Sequence, residues 1–529
     1  MRMRAGLRLA CGAAAILSLS MSSCRRTETE PTWESSTSAV PGAALPLGGG
    51  SPSSEASAPA ELGAITIEEA VLTALENNRA LTVERLNPPI QRTFEQQERA
   101  AFDPLLSVEV SGSREEGDGG TGSEGRERSR SGEAVVSEFL PTGTAVELGA
   151  ETDGTDGDAT AEEYTTRAGL TVTQALLEGR GVAVNLADVR QARLDTRLSE
   201  YEFRGFAEAL VAEVETTYWD YVLARRQVEI LDESLTLARQ QFEETQKRIR
   251  VGDLAETELA AAEAEIALRR EALINARSRV DALRARLVRL VRPDALRAAG
   301  REVTPVSEPA VSPAELDPLQ EHVELALRMR PDMNQARLLV RRGDLELVKT
   351  RNGLLPRMDL FISLGKSGYA DSFGRSVEDI GGGYATTIGL TFEYAVADRA
   401  ARARHRRAAL TRQQLEESMR NVEDLVREDV ELAYIEVKRA WEQVGATATT
   451  RRFQQEKLRA EMAKFRVGRS TALLVAQAQR DLVESQVAEV EAGTNYLKAR
   501  TELFLKEGSL LERRGLSAPG REPLLEREE

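Results

Sequence analysis

Two stretches of this chain, 181–292 and 357–518, contain no proline, and helical periodicity runs through most of both. Between 203 and 242 the apolar residues Phe203, Ala207, Leu210, Val214, Tyr218, Tyr221, Val228, Leu231, Leu235, Ala238 and Phe242 recur at spacings of three, four or seven, flanked by charge. That is the pattern of a helix in a coiled-coil-like bundle. From 181 to 250 it implies roughly 70 residues of helix, on the order of 105 Å at the α-helical rise. The segments 66–101 and 256–291 are each about half as long, so laid end to end they match the long one. The second half of the chain repeats this with 398–466, 316–354 and 471–506. A globular core has no use for rods of that length, whereas a long wall of helices does.

The two long rods are copies of one plan. At an offset of 216 residues Ala187, Arg190, Ala192, Leu194 and Glu200 fall on Ala403, Arg406, Ala408, Leu410 and Glu416, and Val214, Glu215 and Tyr218 fall on Val430, Glu431 and Tyr434. The same offset superposes two Arg-Val-Gly elbows, 250–252 and 466–468. Earlier in each half the offset is 252, matching Glu69, Val71, Ala74, Leu75, Arg85, Leu86 and Pro104 to Glu321, Val323, Ala326, Leu327, Arg337, Leu338 and Pro356. The first half therefore carries about 36 extra residues between Pro104 and Ala187. Both halves read as helix, extended segment, very long helix, elbow, helix.

The extended segments alternate with period two. Leu106, Val108 and Val110 alternate with Ser107, Glu109 and Ser111; Ala168, Leu170 and Val172 with Arg167, Gly169, Thr171 and Thr173. In the second half Met358, Leu360, Ile362 and Leu364 share one face, as do Thr386, Ile388, Leu390, Phe392 and Tyr394. Strands of about ten residues with one apolar face fit a transmembrane barrel, and equally a sheet packed on a soluble core. The extra residues hold two more candidate strands within 132–153, joined by the turn Pro141-Thr142-Gly143. They lie between Gly- and charge-rich segments, 114–132 and 153–163, that read as long loops. Short turns inside and long loops outside would put the Pro-Thr-Gly turn on the periplasmic side. The first half thus offers four strands and the second two.

The termini and composition narrow the setting. Arg2, Arg4 and Arg8, an apolar run from Ala13 to Leu19 and "MSSC" ending at Cys24 read as a secretory signal, 1–23, with a lipobox-like end whose Cys24 is a candidate for acylation. Cys11 would leave with the signal, so no disulfide is available to the mature chain. Residues 24–63, rich in Ser, Pro, Gly and Ala, read as a flexible tether. The formal charge of −16 argues against nucleic-acid binding. Beyond the signal no stretch has the ~20 apolar residues of a membrane-spanning helix, so a membrane crossing would have to be a barrel.

These residues resemble a known family, the TolC-like outer-membrane efflux proteins. The resemblance covers nearly all of 64–510 and rests on "ITIEEAVLTALENNRAL", "LLPRMDLFISL", "LTVTQALLEGRGVAVNLADVRQARL" and both elbows, in that duplicated arrangement. Ala175 and Ala395 stand where the family often has proline at the strand exit. The resemblance implies a mainly α chain with a membrane β-barrel segment. Its homotrimer closes one barrel that continues into a periplasmic tunnel of antiparallel coiled-coil helices. Repeats of 64–315 and 316–510 and a charged tail of 511–529 complete the division of the chain. Family barrels usually take four strands per chain, so the extra hairpin would be either incorporated or held above the membrane.

The implied role is an outer-membrane exit duct of a tripartite efflux pump or type I secretion system, coupled to a periplasmic adaptor and through it to an inner-membrane transporter. The turns matching the tunnel's periplasmic end nominate Arg250, Val251, Gly252, Asp253, Arg466, Val467, Gly468 and Arg469 as the adaptor-contacting tip. Relatives often place carboxylates six and nine positions after the second-repeat glycine, where this chain has Leu474 and Gln477. Asp253, Glu256, Glu258 and Glu263 are the alternative gate acids, and equally a solvated helical face. The arginines of "DRAARARHRRAAL", 398–410, either anchor to outer-membrane lipid phosphates or begin a solvated helix.

Catalytic constellations are lacking. His322 and His405 have no metal-ligand spacing, and "GKS" at 365–367 lacks the glycine of a phosphate loop, Leu360 standing there. The chain reads as neither an enzyme nor a cofactor protein. Competing readings are a periplasmic adaptor lipoprotein and a structural coiled-coil lipoprotein; the first would have a single hairpin, and the second needs no alternating strands.

Overall fold

A computed structural model describes residues 64–119, 123–157, 160–252, 256–292, 304–307 and 316–520. The signal, Cys24, the tether and Asp253 lie outside the described residues. Two helices dominate: α4, Ala187–Arg250, of 64 residues, and α8, Arg399–Arg466, of 68. They are about 96 and 102 Å long. Shorter helices flank them in two tiers. Near the sheet these are α3 (Asn87–Arg99) and α7 (Pro331–Asn352), and beyond them α5 (Thr257–Val291) and α9 (Ala472–Glu507).

Ion pairs and hydrogen bonds fix the order of the rods. Arg193 to Glu95 seats α3 on α4, Gln191 to Glu346 seats α7 on α4, and Arg412 to Asp344 seats α8 on α7. In the far tier Arg269 reaches Ser234 from α5 to α4, Lys498 reaches Asp220 from α9 to α4, and Lys457 reaches Asp481 from α8 to α9. Each tier is therefore four rods wide.

The segment 66–101, expected as one helix, is broken into α1 (Ile67–Asn77), α2 (Arg79–Glu84) and α3. Asn78 leaves the helical region and its side chain accepts from the N–H groups of Ala80 and Leu81. Pro88 and Pro89 then take the first turn of α3, where their missing N–H costs nothing. In the second repeat the break falls at Arg330, between α6 (Leu319–Met329) and α7, again with proline opening the helix.

The duplication is visible in the packing. Val71, Ala74, Val214 and Tyr218 lie in one buried cluster with Leu287 and Leu290. Their counterparts Ala326, Val430 and the partly buried Val323 and Tyr434 lie in a second one with Tyr496 and Leu503. Tyr218 also donates to the Ile65 carbonyl and accepts from the Ser307 N–H, so a core side chain holds the two-residue parallel bridge of 64–65 with 304–305. The described part of the charged tail, 511–520, packs against the rods. Leu510 and Leu511 are buried in the first cluster, and Arg514 holds the buried Glu215 at 2.6 Å.

The longer strands form one sheet of six: β1 (Leu105–Gly119), β2 (Ser123–Leu140), β3 (Thr144–Gly157), β4 (Thr160–Ala175), β5 (Arg357–Ala370) and β6 (Gly383–Glu393). Spatial order equals chain order, and every pair is antiparallel. The four-plus-two division expected from the sequence holds. The segments 114–132 and 153–163, expected as long loops, are instead largely strand, with pairing continuing to Gly119↔Ser123 and Gly157↔Thr160. Once apolar residues fix the base of a hairpin, each further pair satisfies its backbone groups in the ladder. A Gly- and charge-rich sequence follows without an alternating pattern of its own.

Candidate functional site

The register of the sheet sorts its side chains onto two faces, because directly paired residues point the same way. One row runs Leu106, Val136, Leu148, Leu170, Leu364, Thr386, and the next Val108, Ala134, Ala150, Ala168, Lys366, Tyr384. Val146, Val172, Ile362 and Ile388 form another apolar row, with Glu138 at its end. The opposite face carries Glu109, Glu133, Glu151 and Arg167 in one row across four strands. Hydroxyl pairs line the same face: Ser111 with Ser131 at 2.6 Å, Ser113 with Ser129 at 2.7 Å, and Thr171 with Ser363 at 3.0 Å. Arg167 reaches Glu151 at 2.9 Å.

Among the described residues no helix packs over the apolar face along its length. A short helix, Phe373–Glu378, covers only its far end, where Ser376 meets the Thr166 hydroxyl at 2.7 Å. Val108 and Val110 on one edge strand, and Ile388 and Phe392 on the other, are each at least 60% exposed. An apolar band of this extent must be covered by lipid or by other protein.

The hairpin of β2 and β3 is tied to the sheet–helix junction. Gly143 takes φ +86° in its turn; its carbonyl accepts from Ala175 N–H at 2.9 Å, and the Thr142 carbonyl accepts from Gly181 N–H at 3.1 Å. The Asn185 amide donates to the carbonyls of Pro141 and Gly179. Gly179 N–H in turn donates to Asn352 Oδ1, and Leu176 N–H to the Met358 carbonyl, joining the two repeats at the foot of the sheet. Phe139 stacks on Phe102 with ring centres 6.0 Å apart, coupling the sheet to the helix before it.

At the opposite end of the rods lie the elbows. In the second, Arg469 N–H donates to the Lys464 carbonyl at 2.8 Å and Gly468 N–H to the Phe465 carbonyl at 3.1 Å, a Schellman motif with Gly468 at φ +73°. The first repeats the inner bond, Gly252 N–H to Ile249, with Gly252 at φ +85°. The glycines are needed because that conformation is strained for any residue with a Cβ. Val251 and Val467 are 73% and 69% exposed. The Arg248 guanidinium lies 4.9 Å from the Phe465 ring centre, setting the two elbows side by side.

Of the nominated gate residues, Glu256 immediately precedes α5, Glu258 lies in its first turn, and Glu263 is exposed one turn further. Leu474 and Gln477 lie in the first turns of α9, Leu474 exposed and Gln477 about a turn beyond it. Asp253, nominated for both tip and gate, is outside the described residues. The arginine run opens α8 directly after β6, with Ala401 buried and most of the arginines exposed.

Sequence reasoning missed several buried polar groups. Arg204, fully buried, pairs with Glu208 at 3.0 Å and Glu512 at 2.7 Å and donates to the Gly508 carbonyl. Burial pushes the Glu208 carboxyl up to about 7, against the opposing charge of Arg204 and with help from Glu512. His322 pairs with Glu507, whose burial would raise its pKa, but the hydrogen bonds from His322 and Ser509 with the charge of Arg513 hold it below the usual range. Between the long rod and α5, Arg269 joins Glu265 at 2.6 Å and Ser234. Only the i,i+4 spacing of Arg204–Glu208 and Glu265–Arg269 was a usable signal. His405 contacts Thr350, far along the chain from His322, and among the described residues no group of His, Cys, Asp and Glu is placed to hold a metal.

The sequence matches the profile of the family described as Outer membrane efflux protein over residues 71–291 and 322–508. No curated protein sequence matches it significantly. Among solved structures the chain is similar to the Campylobacter jejuni CmeC outer membrane channel, at 15% identity and TM-score 0.63, over 84% of this chain and 86% of that one. It is also similar to the Vibrio cholerae outer membrane protein VceC, at 15% identity and TM-score 0.63, over 84% and 96%. The open state of the Neisseria gonorrhoeae MtrE outer membrane channel matches at 18% identity and TM-score 0.59, over 84% and 89%. At such identities the likeness speaks to the fold.

Proposed function

The chain belongs to the outer membrane efflux protein family, and from that premise we propose how this outer-membrane efflux channel is assembled and coupled. The family is one of channels, not of enzymes, and its members work with adaptor proteins and inner-membrane pumps. Three copies surround one pore: their sheets join edge to edge through lipid, and their rods prolong the wall into the periplasm. The observation that carries this reading is the six-stranded sheet with one apolar and one polar face and two unpaired edges, continuous with rods of about 100 Å.

The repeats 64–315 and 316–510 each contribute one long rod, one stacked rod and one elbow. Arg250, Val251, Gly252, Asp253, Arg466, Val467, Gly468 and Arg469 form the surface that meets a periplasmic adaptor. Glu256, Glu258 and Glu263, with Asp253, Leu474 and Gln477, surround the closing end. Cys24 is acylated and holds the start of the mature chain at the inner leaflet of a Gram-negative outer membrane, with 24–63 as tether. Transport energy comes from the inner-membrane partner.

The test is a cysteine at Arg469 carrying a photo-crosslinker in cells, followed by purification from outer membranes. Recovery of a periplasmic adaptor on a heat-modifiable, trimer-sized species is the expected result. A detergent-extracted protein that is monomeric and purely helical by circular dichroism would overturn the reading in favour of a coiled-coil lipoprotein.

A further inference from the structure

We propose that the membrane segment of this channel is an eighteen-stranded barrel, with the β2–β3 hairpin built into its wall. The inference rests on the three-copy reading above. It departs from the twelve-stranded ring that four strands per chain would close.

The hairpin is not an appendage. β2 pairs with β1 from Leu105↔Ser137 to Gly119↔Ser123, and β3 pairs with β4 from Thr144↔Gln174 to Gly157↔Thr160. Lifting it out would break both ladders, and the backbone groups of β1 and β4 would be satisfied again only if those two strands closed the two-strand gap between them and paired directly. Its turn is locked as well: a Cβ on Gly143 would come within 2.3 Å of the Gly179 carbonyl oxygen, so turn and junction are fitted to each other.

The hairpin also shares the two-faced pattern of its neighbours. Ala134, Val136, Leu148 and Ala150 continue the apolar rows of β1 and β4, while Glu133 and Glu151 continue the polar one. A hairpin standing in water has no need of an apolar face; a wall strand between lipid and lumen does.

Six is an even number, so β1 and β6 run in opposite directions and the seam between copies is antiparallel like every other pair. Small closed barrels start at about eight strands, so one copy cannot close alone. With a strand spacing of about 4.8 Å and a tilt of about 40°, eighteen strands make a ring about 36 Å across and twelve make one about 24 Å across. Four rods per copy give twelve in the helical wall, which at about 10 Å spacing is about 39 Å across. Eighteen strands therefore carry the bore through the membrane with almost no step.

The experiment places single cysteines in the full-length protein at Val136→Cys and Leu148→Cys on the apolar face and Glu133→Cys and Glu147→Cys on the polar face. A charged, membrane-impermeant maleimide is applied to outer-membrane vesicles, and native mass spectrometry of the extracted protein counts copies. In a single chain Val136 and Leu148 are 42% and 59% exposed, so protection at these positions must come from lipid. The expected result is three copies, with Glu133→Cys and Glu147→Cys labelled at least about tenfold faster than the other two, a difference that unfolding in denaturant abolishes. Three copies with all four positions labelled alike would overturn the inference and leave the trimer standing. Alternating labels with two or four copies would overturn the trimer, and with it the count of eighteen.

Discussion

Gly143→Ala tests whether the hairpin turn and the sheet–helix junction are one unit. Two costs add. An alanine at φ +86° costs about 1–2 kcal/mol of backbone strain. Its Cβ, 2.3 Å from the Gly179 carbonyl oxygen, must then push the turn away by most of an ångström, loosening three bonds. These are Ala175 N–H to Gly143, Gly181 N–H to Thr142 and the Asn185 amide to Pro141. At about 1 kcal/mol each, the total is about 4–5 kcal/mol. Gly252→Ala is the matched control: Gly252 has φ +85°, and a Cβ there would meet no described atom within 4 Å, so only the strain applies. The assay is the urea midpoint of the folded protein in detergent, with trypsin cleavage after Arg180 as a local reporter of the junction. Gly143→Ala should lower stability by about 3 kcal/mol more than Gly252→Ala and open the Arg180 site. Equal behaviour of the two variants would refute the interlock.

Glu208 should give stability a pH dependence. Its folded pKa, about 7, lies above the 4.5 of an ordinary glutamate, so its contribution is full below about 4.5 and is lost as pH rises through about 7. Glu208→Gln should flatten the thermal midpoint over that window, where the wild type loses up to about 3 kcal/mol; an unchanged slope would rule out this group. Val467→Asp and Gly468→Val should abolish adaptor capture at the second elbow while leaving heat-modifiable migration intact; undiminished crosslinking would place the adaptor elsewhere. Replacing Glu109, Glu133 and Glu151 together by Gln should lower the cation-over-anion permeability ratio at least about twofold in planar bilayers at low salt and less at high salt. A ratio indifferent to the substitution would mean that this row does not face the pore.

Much of this architecture was legible along the chain because it rests on local patterns. The spacing of Phe203 to Phe242, the alternation from Leu106 to Val110 and the paired Arg-Val-Gly elbows each report one face or one turn, and the folded chain keeps all three. The duplication was legible for the same reason: two copies that pack alike keep alike the residues that pack, as Val214 and Val430 do. What pairing decides was not legible. Residues 114–119 and 123–132 carry no alternating pattern, and they become strand only because the base of their hairpin is already held in a ladder. The seating of β4 beside β5, which joins the two repeats in one sheet, depends on segments nearly 200 residues apart. Arg204 meets Glu512 and His322 meets Glu507 across comparable separations, and no periodicity along one segment encodes a partner on another. Periodicity tells a side chain which way to face. Only the assembled rods and sheet decide what it faces, because hydrogen-bond ladders and buried charges are settled by which surfaces exclude water together.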